Sequence, residues 1–418
     1  MNLNAVRTTK TKNMKVSKTL LAGLMCAGIL GSARADVTVY LTGSTAYRTA
    51  IYNSMNSLFG VSAATVSYGN NSAAKGNEMM WVGTMPSRSV NGTNTAAISG
   101  TVTVKAHWSG SVEGIRDVSG ANLIPFFINS SQPAGNYPTI NFADPTSYNA
   151  TNFEAAPGHV ADIAMADCYQ QSTKYTATHL TDNQVGVVTF VWSKNAGAPA
   201  TLTNITAALA RSLLAGPINL SLFTGNSNDT KLVFAVGRYD GSGTRVQAFA
   251  DSGFGVFSTP EQFGITNVAG AAQIALFQGV DANGNFKNDG SQGYFSGGQV
   301  SAAMSVPGSS TTTDPFGNTG WYAICYVGIS DNANINGGAN ALSLNGVPYS
   351  TAAVQEGEYS YWGYEHLLYL PALAGDKLTL ANNLKIEIIQ GLNSVASGVD
   401  INSMHVSKAS DTADAAHN

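Results

Sequence analysis

The chain contains the stretch Leu232-Val-Phe-Ala-Val-Gly-Arg-Tyr-Asp-Gly-Ser-Gly-Thr-Arg-Val-Gln-Ala-Phe-Ala250, in which an apolar run passes through a glycine-rich turn into a run with helical spacing. A strand, a turn and a helix start arranged in this way point backbone N–H groups at an anion. The turn also carries Arg238, whose planar guanidinium suits a tetrahedral oxyanion, and Asp240, which is close enough in sequence to orient it. We therefore predict that this turn binds an oxyanion.

Three further segments repeat the pattern of a buried strand followed by small polar residues. They are Thr42-Gly-Ser-Thr45, Ser109-Gly-Ser111 and Ala166-Asp167. Strands repeatedly followed by helices predict an α/β protein with mostly parallel sheets. Because ligands of open α/β sheets bind beyond the carboxyl ends of the strands, we expect the four strand ends to surround one small oxyanion.

Other segments give weaker expectations about local structure. The run Val185–Trp192 is the strongest predicted strand, and Trp321–Val327 is another. Helices are predicted over Asn204–Leu214 and Glu365–Leu373, and hairpins and loops over residues 251–320. Asp281-Ala-Asn-Gly-Asn-Phe-Lys-Asn-Asp-Gly290 resembles a short calcium loop, but Gln292 stands where a bidentate Glu is needed. A polar hairpin loop without metal is the preferred interpretation there.

The first 35 residues have the composition of a secretory signal peptide. Residues 1–18 carry five basic residues and no acidic one, an apolar core follows from Leu20 to Leu30, and Ala33-Arg-Ala35 gives the small-x-small cleavage pattern. We expect cleavage near Ala35 and a periplasmic or secreted product. No later stretch is long and apolar enough to span a bilayer.

Removal of this leader leaves 15 basic and 25 acidic residues, a net charge of −10. A nucleic-acid or acidic-membrane partner is not expected, because both need a basic face. Any bound anion must then be held by local dipoles and one or two placed cations. Cys168 and Cys325 remain in the exported chain, either paired or as two separate buried thiols.

Taken in order, these motifs resemble those of the phosphate-binding proteins of bacterial ABC transporters, which have the type II periplasmic binding fold. The family's Arg-x-Asp-Gly-Ser-Gly-Thr motif is present in full at Arg238–Thr244. Leu41–Tyr52, Trp108–Asp117 and Asp162–Asp167 resemble three earlier motifs, in the same order across residues 36–250. Glu113 departs from the family's pattern and leaves another oxyanion open.

The resemblance implies a two-lobed fold after the signal peptide at 1–35. Lobe one holds residues 36–187 and 355–418, and lobe two holds residues 188–354. Loop-rich insertions are expected at 119–158 and 251–350, and a disordered tail at 407–418. The ligand binds in the cleft between the lobes.

The resemblance also implies a role for each site residue. Hydroxyl or backbone donors come from Thr45, Ala46, Ser111 (with Ser109 as a register alternative), Ser242, Gly243 and Thr244. Arg238 supplies the positive charge and is oriented by Asp240. Asp167 accepts a proton-mediated hydrogen bond from phosphate, which fully ionised sulfate cannot offer.

The expected function is capture of inorganic phosphate for uptake, with an ABC-transporter permease as partner, a monomeric protein, and no cofactor or metal. No enzymatic reaction is predicted, because no His or Lys is visibly placed to activate a nucleophile. The alternative is an exported surface or adhesion protein that keeps the fold without the transport role.

Overall fold

The computed structural model of the protein describes residues 36–60, 65–68, 76–126, 153–155, 157–277, 279–280, 286–287, 290–391 and 398–418. Its strands are β1 (Val37–Gly43), β2 (Thr65–Tyr68), β3 (Glu78–Met85), β4 (Ser89–Val90), β5 (Thr93–Asn94), β6 (Ile98–His107), β7 (Ile163–Ala166), β8 (Thr181–Lys194), β9 (Asn204–Ile205), β10 (Ile218–Asn219), β11 (Leu232–Val236), β12 (Phe263–Val268), β13 (Ala271–Leu276), β14 (Gly279–Val280), β15 (Phe286–Lys287), β16 (Tyr322–Gly328), β17 (Ser343–Leu344), β18 (Trp362–Tyr369), β19 (Gly398–Val399), β20 (Val406–Ser407) and β21 (Ala416–His417). Its α-helices are α1 (Arg48–Phe59), α2 (Ser111–Val118), α3 (Ala207–Ala215), α4 (Ser221–Thr224), α5 (Gly243–Asp251), α6 (Gly297–Met304), α7 (Ile329–Asn332), α8 (Thr351–Gln355) and α9 (Gly375–Ile389).

An 11-stranded sheet has the order β10-β11-β16-β8-β18-β7-β1-β6-β3-β2, with β19 paired to β8. β1 lies parallel between β6 and β7, and β11 lies parallel to β16. The antiparallel neighbours β8 and β18 lie between these two parallel groups. Helices flank this sheet, so the α/β class predicted from the sequence is confirmed.

The long strand β8 shows why the sheet is central. Its residues Val185–Ser193 are all buried, so both faces of the strand are covered. A continuous apolar run is typical of such a strand, whereas a half-exposed strand would alternate apolar and polar residues. The strands predicted over Val185–Trp192 and Trp321–Val327 are confirmed.

The sheet brings the predicted motifs to neighbouring strand ends. Thr45 follows β1, Ser111 follows β6 and Asp167 follows β7, and these three strands are adjacent and parallel. Arg238 follows β11. The carboxyl ends of parallel strands lie at the same edge of a sheet, which is where α/β proteins build their sites.

The helix predicted over Glu365–Leu373 is wrong. Residues Trp362–Tyr369 form β18, which is hydrogen-bonded between β7 and β8. Seven of its eight residues are buried, including Glu365 and His366, so no alternation of polar and apolar residues marks the strand. Its identity comes from pairing with strands about 180 residues earlier, which local spacing does not encode.

The disordered tail predicted at 407–418 is also wrong. β20 and β21 pair as a hairpin, and Lys408 and Asp411 are buried. The Lys408 ammonium donates to the carbonyls of Ser360 and Trp362 at 2.7 and 2.8 Å and lies 4.6 Å from the centre of the Trp362 ring. Polar composition alone predicted disorder, but these long-range contacts hold the segment in place.

Other sequence expectations fall partly or wholly outside the described residues. The signal peptide at 1–35, residues 127–152 of the first insertion, and most of the calcium-like loop lie there. Within the described residues, no helix is long and apolar enough to cross a membrane, and Cys168 and Cys325 are separate buried thiols. Residues 36–418 form one compact unit, and their division into two lobes stays a prediction.

Replacement of Lys408 by Met is expected to lower the free energy of unfolding by about 2 kcal/mol, because two buried carbonyls lose their donor. Urea denaturation measures this. Lys174→Met is the matched control, since the Lys174 side chain is 66% exposed and 3.8 Å from Asp240, and should cost less than about 0.5 kcal/mol. Equal effects of the two changes would contradict a structured carboxyl-terminal segment.

Candidate functional site

Arg238 is a buried cation at the end of β11, and only 2% of its surface is exposed. Its guanidinium donates to the carbonyls of Tyr294 and Phe295 at 3.2 and 2.8 Å. It also donates to the hydroxyls of Thr45 and Thr244 at 3.2 and 3.5 Å. All four hydrogen bonds to described residues therefore end on neutral oxygens, and none of them compensates the positive charge directly.

The backbone of Arg238 is held as firmly as its side chain. Its N–H donates to the Tyr326 hydroxyl at 3.1 Å, and its carbonyl accepts from Gln262 and Arg245 at 3.0 and 3.3 Å. The Tyr326 hydroxyl also contacts the Gln262 side-chain oxygen. Tyr326 and Gln262 come from β16 and from the segment before β12, so the sequence around Arg238 gives no signal of them.

The predicted orienting role of Asp240 is wrong. The carboxylate of Asp240 is solvent-exposed and lies 3.8 Å from the Lys174 ammonium. The guanidinium of Arg238 is instead positioned by the Tyr294 and Phe295 carbonyls. Two residues of a tight turn need not point the same way, and here one side chain points inward and the other outward.

The turn after Arg238 begins α5 with its polar atoms buried. Ser242 is the N-cap of α5, and its hydroxyl accepts from the N–H of Arg245 at 3.4 Å. Gly243 and Thr244 are the first two helical residues and are also buried. Thr244 and Thr45, from opposite parts of the chain, both meet the guanidinium of Arg238.

Asp167 lies next to Ser111, as the four-strand hypothesis requires. The Ser111 hydroxyl donates to an Asp167 carboxylate oxygen at 2.5 Å and accepts from the Asp167 N–H at 3.1 Å. Both residues are 1% exposed. Ser111, and not the register alternative Ser109, makes this contact.

Gly243 brings α5 into direct contact with Asp167. A Cβ atom at position 243 would lie 1.6 Å from the Asp167 carboxylate oxygen and 2.7 Å from the Ser111 Cβ. No side chain fits there, so glycine is required by close approach and not by its backbone angles. The motifs of β6, β7 and β11 therefore converge on one point.

Burial dominates the electrostatics of these groups. Desolvation raises the pKa of Asp167 to about 6, against the opposing effects of the Ser111 hydrogen bond and the Arg238 charge. Desolvation also lowers the pKa of Arg238, while the nearby charges of Asp331 and Asp167 raise it. The site thus combines a desolvated cation with a carboxylate that ionises near neutral pH.

The first segment differs in detail from the prediction. α1 begins at Arg48, so Thr45 and Ala46 precede the helix and are half-buried. Arg48 donates to the Thr45 carbonyl at 3.1 Å. Burial, with a smaller contribution from the charge of Arg238, lowers the pKa of Arg48 to about 10 against the opposing charge of Asp331. Arg48 is a second cation near Arg238 that the sequence motifs did not single out.

The first N–H groups of α2 are already occupied. Val112 and Glu113 donate to the carbonyl of Gly241 at 3.1 and 3.4 Å. Gly110 has φ 146°, and a Cβ atom there would lie 2.4 Å from the same carbonyl. The start of α2 therefore packs on the Arg238 turn, and the Ser111 hydroxyl, not these N–H groups, faces Asp167.

Glu113 does not bring an uncompensated charge to the site. Its carboxylate forms an ion pair with Arg116 one turn along α2. Burial raises the pKa of Glu113 to about 7, while Arg116 opposes that rise. Its departure from the family's pattern is accommodated by a partner on the same helix.

Gln247 links the site to the carboxyl-terminal segment. Its amide donates to the Asp167 carbonyl at 2.7 Å and to the Asp411 carboxylate at 2.6 Å. Asp411 also accepts from the N–H of Tyr169 at 2.9 Å. Residues that fix Asp167 thus come from α5 and from the segment that the sequence predicted to be disordered.

Comparison with known proteins found similar solved structures but no matching family or curated sequence. No family model and no curated protein matches this chain. It is similar to a putative phosphate ABC transporter substrate-binding protein with bound phosphate from Clostridium perfringens, at 14% identity and a TM-score of 0.48, covering 87% of this chain and 100% of that one. It is similar to an ABC-type phosphate transport receptor from Vibrio cholerae, at 13% identity, a TM-score of 0.44 and coverage of 86% and 99%. It is also similar to PstS from Borrelia burgdorferi, at 13% identity, a TM-score of 0.39 and coverage of 87% and 98%.

Tyr326→Phe is expected to destabilise the protein by about 1–3 kcal/mol, because the buried N–H of Arg238 loses its acceptor. Asp240→Asn, on the exposed side of the same turn, should change stability by less than about 0.5 kcal/mol. Urea denaturation of both variants measures the difference. A larger loss for Asp240→Asn would restore the orienting role that its exposed position excludes.

Proposed function

We propose that this protein binds inorganic phosphate at the site formed by Arg238, Asp167, Ser111, Thr45 and the start of α5. The observation that carries the proposal is the buried guanidinium of Arg238, whose four hydrogen bonds to described residues all end on neutral oxygens. A buried charge costs several kcal/mol, and the charges of Asp331 and Asp167, which form no hydrogen bond with the guanidinium, offset that cost only in part. A bound anion would offset more of it.

The donors around Arg238 suit a small tetrahedral anion better than a planar carboxylate. Hydroxyls of Thr45 and Thr244 already contact the guanidinium, and the Ser242 hydroxyl and the N–H groups of α5 lie beside them. A helix start with buried N–H groups is a ready anion site. Arg48 adds a second positive charge nearby.

Asp167 restricts the choice of anion. A carboxylate beside a bound anion is repulsive unless a proton lies between them. Phosphate carries a proton near neutral pH and can donate it, whereas sulfate is fully ionised and cannot. A pKa of about 6 keeps Asp167 mostly ionised at pH 7, so it accepts such a proton. We infer a preference for phosphate over sulfate.

The wider role follows from the motif resemblance. We propose an exported solute-binding protein that passes phosphate to an ABC-transporter permease, acts as a monomer, and closes two lobes around the ligand. Donors supplied by both lobes would favour the closed state when phosphate is bound. A surface or adhesion protein that keeps this fold is the competing function, and it requires no saturable phosphate binding.

Arg238→Met is expected to weaken phosphate binding at least about 100-fold, because the anion loses its charged, forked donor. Equilibrium dialysis with radiolabelled phosphate on the chain from Asp36 onward measures the affinity. Arg211→Met removes an exposed arginine of α3 and should leave binding within about twofold. If the unaltered protein shows no saturable binding, the adhesion alternative is favoured.

Sulfate at a hundredfold excess is expected to displace little phosphate at pH 7. Asp167→Asn replaces the acceptor by an amide that also donates, so the preference for phosphate should fall at least about tenfold. Protonation of Asp167 has the same effect, so the preference of the unaltered protein should also weaken as pH falls from 7 to 5, through its pKa of about 6. Competition binding at both pH values tests this. Equal inhibition by sulfate and phosphate at pH 7 would refute the preference for phosphate.

A further inference from the structure

Glu365 is a fully buried acid directly beside Asp167. It is 0% exposed, and neither of its carboxyl oxygens has a hydrogen-bond partner among the described residues. The last pair of β18 with β7 is His366 with Ala166, and Glu365 and Asp167 are the next residues beyond that pair, where β18 has a bulge in its pairing with β8. On its other side Glu365 pairs with Gly186 of β8, which has no side chain to cover it.

The groups that face this acid come from several elements. Asp167 and Cys168 follow β7, and the Ser44 hydroxyl after β1 lies near it but outside hydrogen-bond geometry. On β18 itself, His366 forms a pair at 2.7 Å with Asp182 of β8. Arg238 and Asp411 act on Asp167 by their charges. None of the described groups forms an ion pair with Glu365.

The two acids differ sharply in how well their charged forms are stabilised. The charged form of Asp167 is stabilised by the Ser111 hydroxyl and the positive charge of Arg238. Near Glu365 the opposing group is the neutral Ser44 hydroxyl, and no positive charge acts on Glu365. Desolvation first, and Asp167 second, raise the pKa of Glu365 well above its usual value. Two adjacent buried carboxylates do not both ionise, and the less stabilised one keeps its proton.

We propose that Glu365 and Asp167 form a carboxylic acid–carboxylate pair with one negative charge between them, located on Asp167, and with the proton on Glu365. Glu365 thus adds no charge beside the acceptor that faces the ligand. The consequence of this pair for ligand binding rests on the proposed phosphate site. A second ionised carboxylate there would repel any anion, so the neutral state of Glu365 keeps the repulsion to a single charge.

Stability as a function of pH tests the protonation state without any ligand. The folded protein holds a proton on Glu365 that the unfolded chain releases above the ordinary pKa of Glu, so rising pH favours unfolding until Glu365 itself ionises in the folded state. Glu365→Gln keeps the shape of the side chain and removes the group that titrates. From pH 5 upward, the unfolding equilibrium constant of the unaltered protein relative to this variant should rise about tenfold per pH unit.

A pH-independent difference between these two proteins in urea denaturation would overturn the proposal, because Glu365 would then titrate as it does in the unfolded chain. Glu365→Leu is a second neutral variant for the same comparison should Glu365→Gln fail to fold. An apolar side chain of similar size is compatible with the buried position of a neutral acid.

The pairing with Asp167 requires a second comparison. In an Asp167→Asn background the neighbouring negative charge is gone, so Glu365 should ionise at lower pH and the pH-dependent difference should end earlier. Identical profiles in the two backgrounds would contradict coupling, even if Glu365 is protonated. Lys174→Met, which changes an exposed side chain, should leave both profiles unchanged.

Binding of inorganic phosphate at pH 7 separates this inference from the proposed function. Glu365→Gln should bind within about threefold of the unaltered protein, because the charge of the pair is unchanged. A loss beyond about tenfold would overturn the pairing, since the proton of Glu365 would then contribute directly to the ligand. If the unaltered protein binds no phosphate, the proposed function fails, while the ligand-free pH profiles still decide the pair.

Discussion

The buried charge of Arg238 is the constraint around which the candidate site is built. A guanidinium taken out of water loses hydration that neutral oxygens restore only in part, and its depressed pKa reflects that loss. The guanidinium makes four hydrogen bonds with its five N–H groups, and Tyr326 and Gln262 hold the backbone of Arg238. A cation held this rigidly is already oriented, so the proposed anion binding would require little further ordering.

The second constraint is close approach between segments that are distant in sequence. The Gly241 carbonyl caps α2, and Gly243 touches the Asp167 carboxylate with no room for a side chain. The glycines of the Arg238 turn are therefore needed because a side chain would not fit at their positions. They allow three strand ends to reach one point. Together with Thr45 from the fourth turn, these strand ends form a candidate site with a cation, a carboxylate and several hydroxyls.

The sequence predicted the parts of the site that are local and missed the parts that depend on long-range pairing. The strand–turn–helix at Arg238 and the strand at Val185–Trp192 were predictable because burial and glycine placement are visible in neighbouring residues. The sequence predicts a helix where β18 forms, an orienting role for Asp240 that backbone carbonyls perform instead, and a disordered tail where the Lys408 segment is buried. Each error concerns a contact whose partner lies far away in the chain.

The net charge of −10 expected after leader removal is compatible with the proposed anion binding, because the overall charge and the local charges act over different distances. Exposed acids are screened within about 8–10 Å at physiological ionic strength, whereas interactions inside a dry site are screened far less. What matters at Arg238 is therefore the count of ionised groups within a few ångströms. Glu113 is paired with Arg116, and Asp240 points to solvent. No positive charge acts on Glu365, and the acids whose charges act on Arg238 are Asp331 and Asp167. The Ser111 hydroxyl donates a hydrogen bond to the Asp167 carboxylate, and in the proposed site the protonation state of Asp167 would select between phosphate and sulfate.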